Sequence, residues 1–563
     1  MIVRPTGRNT SKAGRGWPFS AVLIALLVSA PLVVVISAMF LPGSEHWQHL
    51  RATVLPGYIS NTLWLLLGVS AVAAGLGIPT AWLCSTTEFS GRRSLSWLLV
   101  LPLAAPAYVI AYVYTDLLEY AGPLQSSLRT SFGWQAGDYW FPSVRSLGGA
   151  ILVLGFALYP YVYLLCRTVF ERQSAALYES ARLLGATPTS AFWRIALPSA
   201  RPAIAGGLAL VMMETAADFG VVEYFGVATF STGIFRAWFG MGDTAAALQL
   251  AAGLFIVAGL LVLFERLGRR GQVANPVARS QPPRRVALRG AARWWATGFC
   301  TLPVLLGFAL PMVILLRYAI TVGDPMFGTR FSQMILNSFG VASVSALIAT
   351  GFALVLCYAE RLNGSRTVMI GTRVATLGYA LPGAMLGLGV MVALIDLDHA
   401  FATWRKSQFG GAPQLLLTGT VVALVFAYVV RFLTVAYNTC HAGLSKIHPR
   451  LDDVGRTLGA TPTALLQRVH LPLMGSAMVT ALLLVFIDVI KELPATLILR
   501  PFNFDTLATR VYQLAADERL PEASTAALCI VLLGLLPALL LNRASRTQTS
   551  AVATTAAPTH SPG

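Results

Sequence analysis

The feature that most restricts how this chain can fold is a series of apolar stretches, each about twenty residues or longer, separated by short polar segments. Roughly 20 helical residues cross the hydrocarbon core of a bilayer, and a backbone inside it must satisfy its own hydrogen bonds. Such stretches therefore fold as transmembrane helices. In the first half they fall near 17–41, 59–84, 94–116, 147–170, 201–222 and 244–266. In the second they fall near 295–320, 333–358, 369–395, 414–438, 476–499 and 522–542. The expected fold class is all-α, a polytopic membrane protein of about twelve helices in two six-helix halves. Only 12% of the residues are charged, half the share usual in a soluble protein, which is about 25%.

The first stretch, from Trp17 to Leu41, follows a basic arm, "MIVRPTGRNTSKAGRG". A signal peptide shares that basic start, but its apolar core is only about 7–15 residues long. This stretch reads as a retained first helix. The formal net charge of +17 would suit nucleic acid if it formed a patch or stripe, but the basic residues sit in short segments between apolar runs. No nucleic-acid partner is expected; membrane lipid is. Cys84, Cys166, Cys300, Cys357, Cys440 and Cys529 lie singly within or at the ends of apolar runs, so neither a disulfide framework nor a zinc site is indicated.

Lys and Arg mark cytoplasmic loops. They gather in the N-terminal arm and in the segment that carries Arg266, Arg269, Arg270, Arg279, Arg284, Arg285, Arg289 and Arg293. Both termini and this linker are expected to be cytoplasmic. The expected organisation is an arm at 1–16, a first membrane domain at 17–266, and a Pro-, Gly- and Arg-rich linker at 267–294. A second membrane domain follows at 295–542, with a disordered tail at 543–563.

The halves repeat. "RLLGATPTSAFWRIALP" (Arg182–Pro198) returns as "RTLGATPTALLQRVHLP" (Arg456–Pro472), at an offset of 459 − 185 = 274. "SNT" at Ser60–Thr62 and "LNS" at Leu336–Ser338 are expected to open the second and eighth helices. Self-similarity at half the chain length implies duplication, and parallel repeats are a known transporter design. In each repeated loop a helix is expected to end at Gly185 or Gly459, a C′ glycine. Thr187 or Thr461 then caps a new helix whose first turn holds Pro188 or Pro462, and Pro198 or Pro472 stops it. One interpretation is a rigid elbow between spans. The other is a pair of knobs that dock in a partner, which accounts better for the matched Arg182/Arg456 and Arg194/Arg468.

The stretch Glu179–Pro198, with Glu179-Ser180-Ala181, Gly185 six residues after the Glu, and Leu197-Pro198, resembles the EAA loop of ABC importer permeases. The second copy has Asp453-Val454-Gly455 where Glu-Ala-Ala is usual, with the acid and Gly459 at the same spacing. The resemblance implies a type I importer permease fold and a coupling helix inserted into a groove of an ATPase subunit. Coupling would fall to Glu179, Ala181, Arg182, Gly185 and Pro198, and to Asp453, Gly455, Arg456, Gly459 and Pro472. No G-x-x-x-x-G-K-[ST] phosphate loop occurs, so ATP hydrolysis by that route is not expected here. The resemblance puts ATP and Mg on two separate ATPase subunits, with no cofactor and no catalytic residue in this chain.

Glu214 and Asp218, four apart, are matched at the offset of 274 by Asp488 and Glu492. Charge at the centre of a span costs about 2.5–3.5 kcal/mol on insertion scales, so both pairs should face protein or water. They are candidates for the translocation path, against the alternative of local pairing, for which Lys491 stands three residues from Asp488. Gly220 and Pro494, two residues past the second acid of each pair, should loosen the helix there.

Three segments, Leu101–Gln125, Ala217–Asp243 and Lys491–Glu518, resemble the matching parts of ferric-iron ABC importer permeases. That resemblance implies iron delivered by a periplasmic binding protein to a bacterial inner membrane. Fused thiamine permeases share the layout and stay open as an alternative, as does a proton-coupled secondary transporter. Fe³⁺ suits carboxylate and phenolate oxygens, which Asp116, Glu119, Glu223, Tyr224, Asp396 and Asp398 would offer near the outer face. As solvated loop residues they need no such role, and no metal ligand is assigned.

Overall fold

The computed structural model describes residues 16–40, 42, 44–135, 137–172, 183, 185, 187–268, 285–378, 381–409 and 416–535. Among them, nine helices are long and apolar enough to cross a membrane, or up to eleven if each of two bent pairs is one span. A further apolar helix covers Leu520–Leu535. The all-α expectation holds. Among the described residues the only sheet is a two-stranded parallel bridge between Thr87–Glu88 and Val286–Ala287. It fastens the end of the inter-half segment beside the turn that follows the second span.

The duplication is visible in the packing. In the first half the Leu55–Thr86, Leu147–Arg172 and Arg201–Ala217 helices pack against one another; in the second, Thr329–Leu362, Val421–Ser445 and Leu471–Ile490 do the same. The Asn residues expected at helix starts lie inside longer helices, which begin at Leu55 and Thr329. Both do the same work there. Asn61 Nδ2 donates to the carbonyl of Ala228 at 2.9 Å, and Asn337 Nδ2 donates to that of Asp505 at 3.1 Å. Each accepting carbonyl precedes a threonine capping box, Thr229/Thr232 and Thr506/Thr509.

The first helix of each half crosses over. Gly16–Ser37 packs on Thr329–Leu362, Arg366–Ala375 and Gly383–Phe409 of the second half. Ala291–Val304 and Leu310–Thr321 pack on the Leu55–Thr86, Arg92–Leu98 and Ala107–Leu118 helices of the first. The halves therefore embrace rather than merely abut.

Four spans expected to be continuous are broken. The stretch near 94–116 divides at Ala105-Pro106 and bends by 92°. Proline removes a donor and forces the preceding residue out of the helical region, and Ala105 is extended at φ −95°, ψ 131°. Its counterpart near 369–395 divides between Arg366–Ala375 and Gly383–Phe409, around Pro382. The stretch near 201–222 stops at Asp218, extended at φ −67°, ψ 136°. The one near 476–499 stops at Ile490 and resumes at Pro494. The loosening expected beside Gly220 and Pro494 is thus a full interruption.

The prolines that close the repeated loops behave differently from expectation. Pro472 does not stop its helix, which continues to Ile490. Pro198 is passed too, and a 62° bend follows it, between the Phe192–Ser199 and Arg201–Ala217 segments. The reason is a π-turn placed just before each proline. Leu197 N–H donates to the Phe192 carbonyl, and Leu471 N–H to the Leu466 carbonyl, five residues back. A wider turn makes room for the proline ring without ending the helix.

Candidate functional site

Three of the four breaks converge. A cavity of about 120 Å³ is lined by Pro102–Tyr108 residues from the first break, by Glu214 and Ala217–Gly220 from the second, and by Asp488 and Lys491–Pro494 from the third. All four acids predicted from the sequence line it, together with Arg431 from the Val421–Ser445 helix. Irregular backbone at membrane depth is tolerated where it is enclosed by protein or lines a polar cavity.

Two of the acids hold the breaks together. Asp218 Oδ2 accepts from the amides of Val221 at 3.0 Å and Val222 at 3.2 Å, so it caps the short Gly220–Tyr224 helix. Glu492 Oε1 accepts from the Ala495 amide at 3.0 Å, at the start of the Pro494–Leu499 helix. The same oxygen pairs with Arg431 Nη1 at 2.8 Å. Asp488 pairs with Lys491 at 3.0 Å, the local pairing weighed from the sequence. Four carboxylates face two cations there, a formal balance of −2 from 2 − 4. The four acids thus divide: Asp218 and Glu492 shape the backbone, while Glu214 and Asp488 stand one turn earlier on the continuous helices.

A second cavity of about 730 Å³ shares Leu103, Tyr161, Asp488 and Lys491 with the first. It runs to Arg93 and Arg167. Arg167 lies near the C-terminal end of the Leu147–Arg172 helix, which precedes the first GATPT loop, and its guanidinium bonds the Ser96 carbonyl at 2.8 Å and Glu171 at 2.8 Å. The mid-span site thus continues as a vestibule toward the end of the bundle that bears the loops.

The opposite end is closed by Arg145. It pairs with Glu119 at 2.5 Å and with Glu518 of the second half at 2.9 Å, and its guanidinium lies 5.0 Å from the Tyr224 ring centre. Glu119 and Tyr224 are thereby accounted for without a metal. Asp116 accepts from Tyr318 Oη at 2.6 Å, Asp398 accepts the Leu416, Leu417 and Thr418 amides, and Asp396 is exposed. Glu223 differs: its Oε2 is buried with no hydrogen-bond partner among the described residues. No cluster of three or more His, Cys, Asp or Glu side chains suited to a metal occurs among the described residues.

Of the loop residues, Glu179, Ala181 and Arg182 lie outside the described residues. Gly185 and Gly459 have φ of +82° and +78°, left-handed values that glycine adopts without strain. At the second loop the closing bonds form a Schellman motif, Ala460 N–H to the Gly455 carbonyl at 2.9 Å and Gly459 N–H to that of Arg456 at 3.0 Å. Thr187 accepts from the Ser190 amide at 3.2 Å and Thr461 from that of Ala464 at 3.3 Å, as expected of N-caps. Arg456 pairs with Asp453 of its own helix at 3.0 Å.

A network that the sequence did not reveal anchors this loop. Asp452 receives Arg361 at 2.7 Å and buried His470 at 2.8 Å, and Arg361 also bonds the Leu444 and Ile447 carbonyls. Burial raises the Asp452 carboxyl, but the bonds from Arg361 and His470 outweigh it and hold the group below its ordinary value. Arg361 and Asp452 are 91 residues apart, beyond any local periodicity. Arg431 did carry a signal, as a lone cation inside an apolar run.

Two embracing copies of one helical unit, broken at mid-span around a polar cavity, define a membrane permease built by duplication. The chain belongs to the family described as binding-protein-dependent transport system inner membrane component, which matches it twice, at 73–270 and 357–549. Each match holds one repeated loop and one pair of acids, and leaves out the crossing first helix. Along nearly its whole length the chain is similar to the Fe(3+)-transport system permease protein FbpB 2 of Haemophilus influenzae, 25% identical over 93% of this chain and 98% of that one. It is 22% identical to the ferric transport system permease protein FbpB of Actinobacillus pleuropneumoniae, over 87% and 72%. The sulfate transport system permease protein CysT of Salmonella typhimurium matches 44% of this chain with 90% of its own length, at 25% identity. A relative of half the size is what a fused duplication predicts.

Proposed function

We propose that this chain is the membrane subunit of an ATP-driven importer of ferric iron. A periplasmic binding protein delivers the iron to the end closed by Arg145. Two ATPase subunits, carrying ATP and Mg, dock on the loops at Gly185 and Gly459, and both termini face the cytoplasm. Closure of the ATPases opens the Arg145 end and shuts the vestibule; their separation restores the arrangement described above.

The observation that carries this substrate is the acid-lined cavity. Its excess of two carboxylates over cations attracts a multivalent cation and repels sulfate, the anion named for the half-length relative. Likeness to Fe(3+) permeases along the whole chain supports the same choice. The test is ATP hydrolysis and ⁵⁵Fe uptake by the assembled transporter in proteoliposomes, with iron-loaded and empty binding protein. Stimulation by the loaded form alone is expected. Uptake that survives ATP depletion and collapses with the proton gradient would overturn the proposal, and displacement of iron by thiamine would reassign the substrate.

A further inference from the structure

A stripe on the Ala107–Leu118 helix leads from the Arg145 end to the cavity. Tyr108, Tyr112 and Asp116 recur at four-residue spacing, so they lie on one helical face. Tyr108 lines the acid cavity. Its ring centre is 5.8 Å from that of Tyr112, which meets Tyr224 edge-on at 4.4 Å. Tyr224 lies beneath the Arg145 guanidinium, at the closed end. The rings thus form an unbroken column from the gate to the cavity.

Their hydroxyls are anomalous. Tyr112 is 0% exposed and Tyr108 5%, yet neither phenol oxygen has a hydrogen-bond partner among the described residues. Leaving a buried polar group unpaired is destabilising, and phenylalanine would pack the same column without that cost. Glu223 Oε2, beside Tyr224 in the chain, is likewise buried with no hydrogen-bond partner among the described residues. By contrast Tyr318 and Tyr163, buried or half-buried tyrosines elsewhere, donate to Asp116 and to the Ser96 carbonyl.

We infer that the Tyr108 and Tyr112 oxygens are transient ligands for a hard, multivalent cation on its way from the Arg145 end to the carboxylate cavity. This rests on the iron reading above. Phenolate oxygen is a hard donor suited to such an ion, and the hydroxyl proton released on binding passes to Glu223 or to the cavity carboxylates; two donors on successive turns give the ion successive stations. Their lack of a resident partner keeps them available and keeps the ion from being held by a closed site.

The test compares Tyr108→Phe, Tyr112→Phe and Tyr159→Phe in the full chain assembled with its ATPase and binding protein. Tyr159 also has a buried hydroxyl with no hydrogen-bond partner among the described residues, but it lies on the Leu147–Arg172 helix, off the column. The expected result is ⁵⁵Fe uptake reduced at least about tenfold for the first two, the scale on which even outer partners of a metal site act. Their melting temperatures should equal or exceed wild type, and Tyr159→Phe should transport normally. Wild-type iron uptake with unchanged Tyr108→Phe and Tyr112→Phe would overturn the ladder and leave the iron reading standing. Lower melting temperatures in those variants would also overturn it, by showing that the hydroxyls are structural. Absence of wild-type iron uptake would remove both.

Discussion

The Arg431 guanidinium lies 2.8 Å from the Glu492 carboxylate, joining an unbroken span to the break in its neighbour. Both side chains are buried, and Glu492 also caps the helix that follows. Removing one member of a buried pair costs about 3–5 kcal/mol, because the other charge is stranded. Arg431→Met should therefore destabilise the chain on that scale, measured by thermal unfolding in detergent. Adding Glu492→Gln should recover most of the loss, since glutamine keeps an acceptor for the Ala495 amide. A double variant no better than the single one would show that the pair does not hold the break.

At the closed end, the two Arg145 ion pairs are partly exposed. Such pairs contribute about 0.2–1 kcal/mol each. Arg145→Ala should shift the balance toward the outward-open form by about 1 kcal/mol, or about fivefold. The readout is ATP hydrolysis by the assembled transporter without binding protein, which should rise accordingly. High salt should mimic part of the effect in wild type.

Gly459 has φ +78°, and nothing lies within 4 Å of where a Cβ would stand. Gly459→Ala then pays only the left-handed backbone cost, about 1–2 kcal/mol. Gly459→Pro cannot adopt that φ and loses the amide that bonds Arg456. The proline variant, and Gly185→Pro, should abolish uptake while the chain remains in the membrane. Normal transport by both would refute docking at these loops.

Asp243 caps the Thr244–Gly268 helix through the Ala246 amide at 2.9 Å and lies 3.2 Å from His46. Burial raises its carboxyl, but the bonds from Ala246, Ser44 and His46 outweigh it and hold the group below its ordinary value of 3.8. A carboxyl lowered on folding stabilises fully above its unfolded value and loses that contribution as pH falls through the folded one. Wild type should exceed Asp243→Ala by about 0.5–2 kcal/mol at neutral pH. That margin should shrink as pH falls below about 3.8, as followed by unfolding across a pH series.

The spans, the duplication, the loop glycines and the four acids were legible because each is a local pattern or a repeat at one offset. Helix breaks are half legible: Gly220 and Pro494 mark two of them, whereas Pro106 and Pro382 sit inside apolar stretches that resemble continuous span. Hydropathy averages over a window and does not register a single missing amide. The crossing of the first helices, the Arg145 closure and the Arg361–Asp452–His470 network were not legible. They depend on side chains brought together across tens to hundreds of residues, where helical periodicity carries no information.

That network has a mechanical corollary. His470 and Asp452 lash the second loop to the body of its half; the sequence has Ala196 and Tyr178 at the matching positions of the first copy, so this His–Asp pair is not repeated. A push on the second loop would therefore pass through Asp452 and Arg361 into the Thr329–Leu362 helix instead of being absorbed at the joint.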